Sequence, residues 1–137
     1  MLNSSPSSRR TLIAVDDDTE VLNQVTETLG KFYTVLTTSN AQRALGWLQD
    51  NPAVSTILVA QVLRSGLGLD VLEVARSIKP DVRRVLMTSY SDLSELMGGL
   101  ISGAIQQTVA RPLNRTELAM SLMPTDKAAP AASRRAV

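Results

Sequence analysis

The chain has 137 residues, 44% of them hydrophobic, with a formal net charge of +1: one domain's length, and enough apolar content for a single core. So small a net charge gives no bulk electrostatic reason to bind nucleic acid or an anionic membrane. With 0 Cys and 0 His, thiol chemistry, disulfides, imidazole acid–base catalysis and the usual zinc sites are excluded.

Residues 1–10 are dominated by Ser, with Pro6 and the pair Arg9-Arg10, and residues 125–137 are Ala- and Pro-rich with Arg134-Arg135 near their end. Neither stretch can bury an apolar face, so both are expected to be disordered, the second as a tail or linker. The folded domain is expected over 11–124. No apolar run reaches the roughly 18 residues of a membrane span and no secretory h-region opens the chain, so a cytoplasmic protein is expected.

Thr11-Leu12-Ile13-Ala14-Val15 is a short apolar run that ends at Asp16, Asp17 and Asp18; Val21, Leu22, Val25 and Leu29 then recur at helical spacing up to Gly30. This spacing predicts strand one and helix one. Phe32 to Thr37, rich in aromatic and β-branched residues, predicts strand two. Helix two follows, capped by Ser39 or Asn40, with Ala41, Ala44, Leu45 and Leu48 on one face and Trp47 at its border. Ser55 to Ala60 reads as a central strand buried on both faces. After it stands Gln61, an amide just beyond a strand's carboxyl end, where an open α/β sheet places its chemistry.

A loop with Gly66 and Gly68 leads to helix three, whose Val71, Leu72, Val74, Ala75 and Ile78 precede Pro80. Val82 to Thr88 predicts strand four. Ser91 is the expected cap of helix four, with Leu93, Leu96, Met97, Leu100 and Ile101 as its apolar positions and Gly103 as its stop. Ile105 to Val109 predicts strand five, and Asn114 caps helix five with Leu118, Leu122 and Met123 inward. Five strand–helix units imply an α/β fold in three layers, a doubly wound five-stranded parallel sheet with right-handed connections.

Three stretches in order, Leu12-Ile13-Ala14-Val15-Asp16-Asp17-Asp18, Leu86-Met87-Thr88-Ser89-Tyr90 and Ala110-Arg111-Pro112-Leu113, resemble motifs of bacterial two-component response-regulator receiver domains. They match that family's first strand with its acidic pocket, its fourth strand with the switch hydroxyl, and its Lys-Pro turn. The resemblance covers nearly all of 11–123. It implies a flavodoxin-like (βα)5 fold with strand order 2-1-3-4-5 and a phosphorelay signalling role that is not enzymatic. It also implies a face made by helix four, strand five and helix five for a protein partner or a second copy of the chain.

In that family an aspartate at the end of strand three is phosphorylated, with a divalent ion on the first-strand acids and a Lys and a hydroxyl on the phosphoryl oxygens. By the same resemblance Gln61 falls at the phosphoacceptor position, or Ala60 does if the loop alignment slips by one residue. Neither side chain can form an acyl phosphate. Asp16, Asp17 and Asp18 keep the acidic pocket and Thr88 the switch hydroxyl. Thr108 stands where the family has a switch aromatic and Arg111 where it has Lys, and Pro112 is implied to follow a cis peptide. A guanidinium is not interchangeable with an ammonium; the expected partner of Arg111 is Asp17, with Arg64 also placed to lean over the acids.

Beside this stands a plainer reading in which Asp16, Asp17 and Asp18 cap helix one. It outweighs a metal site, since Asp16 and Asp17 without a third acid would hold Mg²⁺ weakly; no cofactor is expected. Three functions are therefore open. The first is a phosphorylation-independent pseudo-receiver acting by protein–protein contact, with no nucleic-acid or membrane contact by this domain. The second is a receiver still answering to a metal or small ligand in the residual pocket. The third is a doubly wound enzyme, for which no Gly-rich phosphate loop or nucleophile–base pair is present. On the interaction face the expected exposed positions are Ser94, Glu95, Gly98, Gly99 and Gln106.

Overall fold

The computed structural model describes residues 10–124, so the two tails expected to be disordered lie outside it, Arg10 apart. In chain order come β1 (Thr11–Val15), α1 (Thr19–Leu29), β2 (Thr34–Thr38), α2 (Ala41–Asp50) and β3 (Val54–Ala60). They are followed by a hairpin of β4 (Val62–Leu63) and β5 (Gly66–Leu67), then α3 (Gly68–Ile78), β6 (Arg83–Thr88), α4 (Leu93–Ser102), β7 (Gln107–Ala110) and α5 (Arg115–Leu122). The five-stranded sheet is parallel with order β2-β1-β3-β6-β7, the expected topology once the hairpin is set aside. No helix among the described residues is long and apolar enough to cross a membrane.

Burial explains the layers. β1 and β3 are buried almost throughout, as strands covered on both faces must be, while β2 is an edge strand with no fully buried residue. Val25 and Leu29 of α1 and Leu118 and Leu122 of α5 enter the core, and α1 packs beside α5. Ala44 and Leu48 of α2 and Val71, Leu72 and Ala75 of α3 enter it as well, with α2 beside α3. The buried Tyr33 hydroxyl donates to the Leu122 carbonyl at 2.6 Å, which fixes the end of the last helix to the start of β2.

Several boundaries differ from the sequence expectation, each for a local reason. Strand two begins at Thr34, because the Phe32 and Tyr33 amides still bond back to the Leu29 carbonyl at the end of α1. Strand five begins at Gln107, because the Ile105 amide closes the end of α4 on Gly99. Helix four is capped by Asp92 and not Ser91, with Asp92 Oδ1 accepting from the Glu95 amide. The loop after β3 contains the antiparallel β4–β5 pair.

The largest difference lies on α4. Its apolar positions do not all face inward: Leu96 and Gly99 are buried, while Leu93, Met97, Leu100 and Ile101 are exposed. Gly99, expected on the outer face, is covered, and a Cβ there would lie 2.4 Å from Ile105 Cδ1 and 2.8 Å from Leu69 Cδ1. Glu95 is half-buried, and Ser94, Gly98 and Gln106 are exposed as expected.

At the amino-terminal edge of the sheet, Arg84 is 4% exposed and has no carboxylate partner among the described residues. Its guanidinium donates to the carbonyls of Ala104, Pro80, Val82 and Gly103 at 2.9 to 3.1 Å. Desolvation, and then the neighbouring Arg76 charge, pull its pKa below the ordinary value; the group remains a cation at neutral pH. Arg76 itself donates to the Ser102 carbonyl at 2.7 Å, so two cations meet the carboxyl-terminal end of α4.

Candidate functional site

The carboxyl ends of β1, β3, β6 and β7 meet at one edge of the sheet, where parallel strands present their loops. Asp16 follows β1 and is 3% exposed. Its Oδ1 accepts from the Asp18 amide at 2.9 Å and its Oδ2 from Arg111 Nη1 at 2.7 Å. Asp18 caps α1, its Oδ1 accepting from the Glu20 amide at 2.9 Å. The half-buried Asp17 accepts at Oδ2 from the backbone N–H of Arg64 at 2.7 Å. The three acids thus have three separate tasks, and the helix-cap reading holds for Asp18 alone.

Two sequence expectations need correcting. The Arg111 partner is Asp16 and not Asp17, because Arg111 enters from β7 over the buried carboxylate while the β4–β5 hairpin covers Asp17 from the other side. It is the backbone of Arg64 that reaches the acids, and its side chain is exposed. The Arg111–Pro112 peptide is cis, as the resemblance implies.

Gln61 follows β3 directly. Its amide donates to the Met87 carbonyl and its own carbonyl accepts from Gly68, which locks the backbone between β6 and the start of α3. A Cβ on Gly68 would lie 2.1 Å from the Ala60 carbonyl oxygen, so glycine is the residue that lets α3 begin this close to the strand. The Gln61 side chain is 6% exposed, with Oε1 accepting from Thr88 Oγ1 at 2.5 Å and Nε2 donating to Glu95 Oε1 at 3.0 Å. Ala60 lies inside the ladder opposite Met87. A cleft of about 220 Å³ opens here, lined by Gln61, Val62, Thr88, Ser89, Ser91 and Arg111 among others.

Thr88 Oγ1 also accepts from the Tyr90 amide at 2.8 Å. Tyr90 has φ 65°, in the left-handed region, and its hydroxyl meets Thr108 Oγ1 at 3.1 Å. Sequence reasoning missed Tyr90 and the inward turn of Glu95. The signal for the first was there: Thr108 lacks a ring, and a tyrosine stands two residues after Thr88 in the same motif. Among the described residues, no group of three or more His, Cys, Asp or Glu is placed to hold a metal ion.

The architecture recurs in known proteins. The N-terminal signal receiver domain of a two-component response regulator from Bacteroides fragilis superposes with a TM-score of 0.76 at 26% identity, covering 90% of this chain and 100% of that one. The described residues have the fold of a response-regulator receiver domain. The chain is similar in sequence to the hydrogenase transcriptional regulatory protein HoxA of Cupriavidus necator, 30% identical over 102 residues and 74% of this chain. It is also 28% identical over 122 residues, or 88% of its length, to the photosynthetic apparatus regulatory protein RegA of Cereibacter sphaeroides. The chain spans 21% of that HoxA and 65% of that RegA. No family model matches it.

Proposed function

We propose that this receiver domain serves two-component signalling as a phosphorylation-independent module in the cytoplasm, acting through protein contact. The observation that carries the reading is Gln61 immediately beyond β3, where the receiver resemblance implies an aspartyl phosphoacceptor. A carboxamide oxygen is no acceptor for a phosphoryl group near neutral pH, and the Gln61 amide is hydrogen-bonded at both its polar atoms. The position of Ala60 within the ladder supports Gln61 over Ala60 as the matching residue.

The residues do not fit the divalent ion that phosphoryl transfer requires. Arg111 occupies Asp16, the Arg64 amide occupies an oxygen of Asp17, and the third ligand would be a neutral amide already engaged by Thr88. Hard cations take charged oxygen sets, and a guanidinium at 2.7 Å from Asp16 opposes a dication there.

The surface made by α4, β7 and α5 supports contact with a protein partner or a second copy of the chain. Leu93, Met97 and Ile101 lie one or two turns apart and are 58%, 52% and 79% exposed, and Met120 on α5 is 70% exposed. A row of exposed apolar side chains along one helix, as on α4, is the kind of surface that marks interaction sites.

Incubation with acetyl phosphate and Mg²⁺ tests the reading by intact mass and amide spectra. Both are expected to stay unchanged. A phosphoryl adduct on an acyl linkage, at Asp16 or Asp17 first, would overturn it. Gln61→Asp is expected to bring Mg²⁺-dependent spectral change that the natural chain lacks.

A further inference from the structure

Gln61 joins three elements through one side chain, and that juxtaposition carries a consequence for the interaction face. Its Oε1 takes the Thr88 hydroxyl of β6 and its Nε2 gives a hydrogen to Glu95 of α4. We infer that the Gln61 carboxamide is a built-in latch, which ties Thr88 and the first turn of α4 into one arrangement and keeps the α4–β7–α5 face presented without a phosphoryl group or metal. The inference deepens the interaction-module reading and rests on it for its biological meaning.

The first support is polarity. An amide accepts and donates at once, whereas a carboxylate in the same place only accepts. With Glu95 Oε1 3.0 Å from Gln61 Nε2, a carboxylate at position 61 would set like charges against each other. With a carboxylate at position 95, residue 61 therefore has to supply the donor for α4 to dock as it does.

The second support is what Glu95 forgoes. Asp92 is the N-cap of α4 and Glu95 lies three residues on, the spacing of a reciprocal capping box in which the glutamate returns to the cap's own amide. Half of that box is made, Asp92 Oδ1 accepting from the Glu95 amide at 3.1 Å. The Glu95 carboxylate instead takes the bond from Gln61 Nε2.

The third support is the backbone beyond Thr88. Tyr90 is a bulky residue at φ 65°, a conformation that L side chains resist. Its amide is held by Thr88 Oγ1 at 2.8 Å and its hydroxyl by Thr108 Oγ1 at 3.1 Å. The hydroxyl that Gln61 fixes is the one that holds the Tyr90 turn, so the path runs from α4 through Gln61 and Thr88 to β7. Strained backbone persists where its surroundings over-determine it, and such places cluster at switch regions.

The test is a double-mutant cycle on the whole chain, read by amide exchange and the Tyr90 ring resonances. Gln61→Glu is expected to speed exchange of the Glu95 and Leu96 amides about tenfold and shift the Tyr90 signals, with amides of β1 and β3 unaffected. Glu95→Gln keeps an acceptor for Gln61 and is expected to stay near the natural chain. Combined with Gln61→Glu it supplies a donor in the reverse sense and is expected to restore protection to within about twofold.

Glu95→Ala adds no charge and improves intrinsic helix propensity, so faster exchange of the same amides in it reports loss of the latch even where Gln61→Glu folds poorly. Unchanged α4 exchange and Tyr90 signals in both Gln61→Glu and Glu95→Ala, or a double variant no better protected than Gln61→Glu alone, would overturn the inference. Phosphoryl uptake by the natural chain would overturn the function proposed above and leave this coupling standing, so the two failures are distinguishable.

Discussion

At the amino-terminal end of the sheet Arg84 is buried among backbone carbonyls of two loops, whereas at the carboxyl end Arg111, its side chain 29% exposed, lies against the buried carboxylate of Asp16. The first cation is satisfied by dipoles that exist only when the loops are folded. The second is satisfied by a formal charge at the mouth of a cleft. Fixed dipoles around a buried ion make a joint of the fold, while a part-exposed ion pair can be exchanged for another cation. The fold thus ties one end of its sheet with backbone dipoles and leaves a formal ion pair at the mouth of the cleft at the other.

Substitution of each arginine by a hydrocarbon of similar length measures the contrast. Arg84→Met strands several buried carbonyls at once and is expected to cost about 4 kcal/mol in urea unfolding. A loss below about 1 kcal/mol would mean that water replaces the guanidinium and would erase the difference between the ends.

Arg111→Met removes the charged partner of Asp16, and after discounting for solvent at the part-exposed guanidinium it is expected to cost about 2 kcal/mol. The same variant is expected to gain a melting-temperature rise with Mg²⁺ that the natural chain does not show, because Asp16 is then free of a competing cation. Arg84→Met is expected to show no such rise. Tyr90→Phe, which removes the hydroxyl opposite Thr108 at 3.1 Å, is expected to cost only about 0.5 kcal/mol.

The strand and helix succession was legible because apolar runs and helical periods alternate cleanly from Thr11 to Leu122, and the position of Gln61 followed from where the central run ends. Pairing was less legible. Asp16, Asp17 and Asp18 are adjacent carboxylates, and sequence does not say which one turns inward beneath Arg111 and which one receives the hairpin amide of Arg64. That depends on the alternation of faces past β1 and on a hairpin too short to show a strand pattern.

Helix four misled for a related reason. Leu93, Leu96, Met97, Leu100 and Ile101 all look like core residues, and a helix apolar on most sides has no polar face to mark its outside. Arg84 was readable in principle as a charge within an apolar strand, but its partners are carbonyls, and carbonyls leave no trace in a sequence.

The hydrogen bond from Tyr33 to the Leu122 carbonyl joins residues 89 positions apart in the chain. It belongs with the packing of α5 on α1 and the Arg115–Glu27 pair, also between the first and last helices. The described domain therefore closes on itself only when α5 arrives, and closing so long a loop carries an entropic cost ahead of any contact. During synthesis the flank of α1 that α5 covers stays bare until α5 has emerged, which makes α5 the step at which that flank ceases to be open to misassociation.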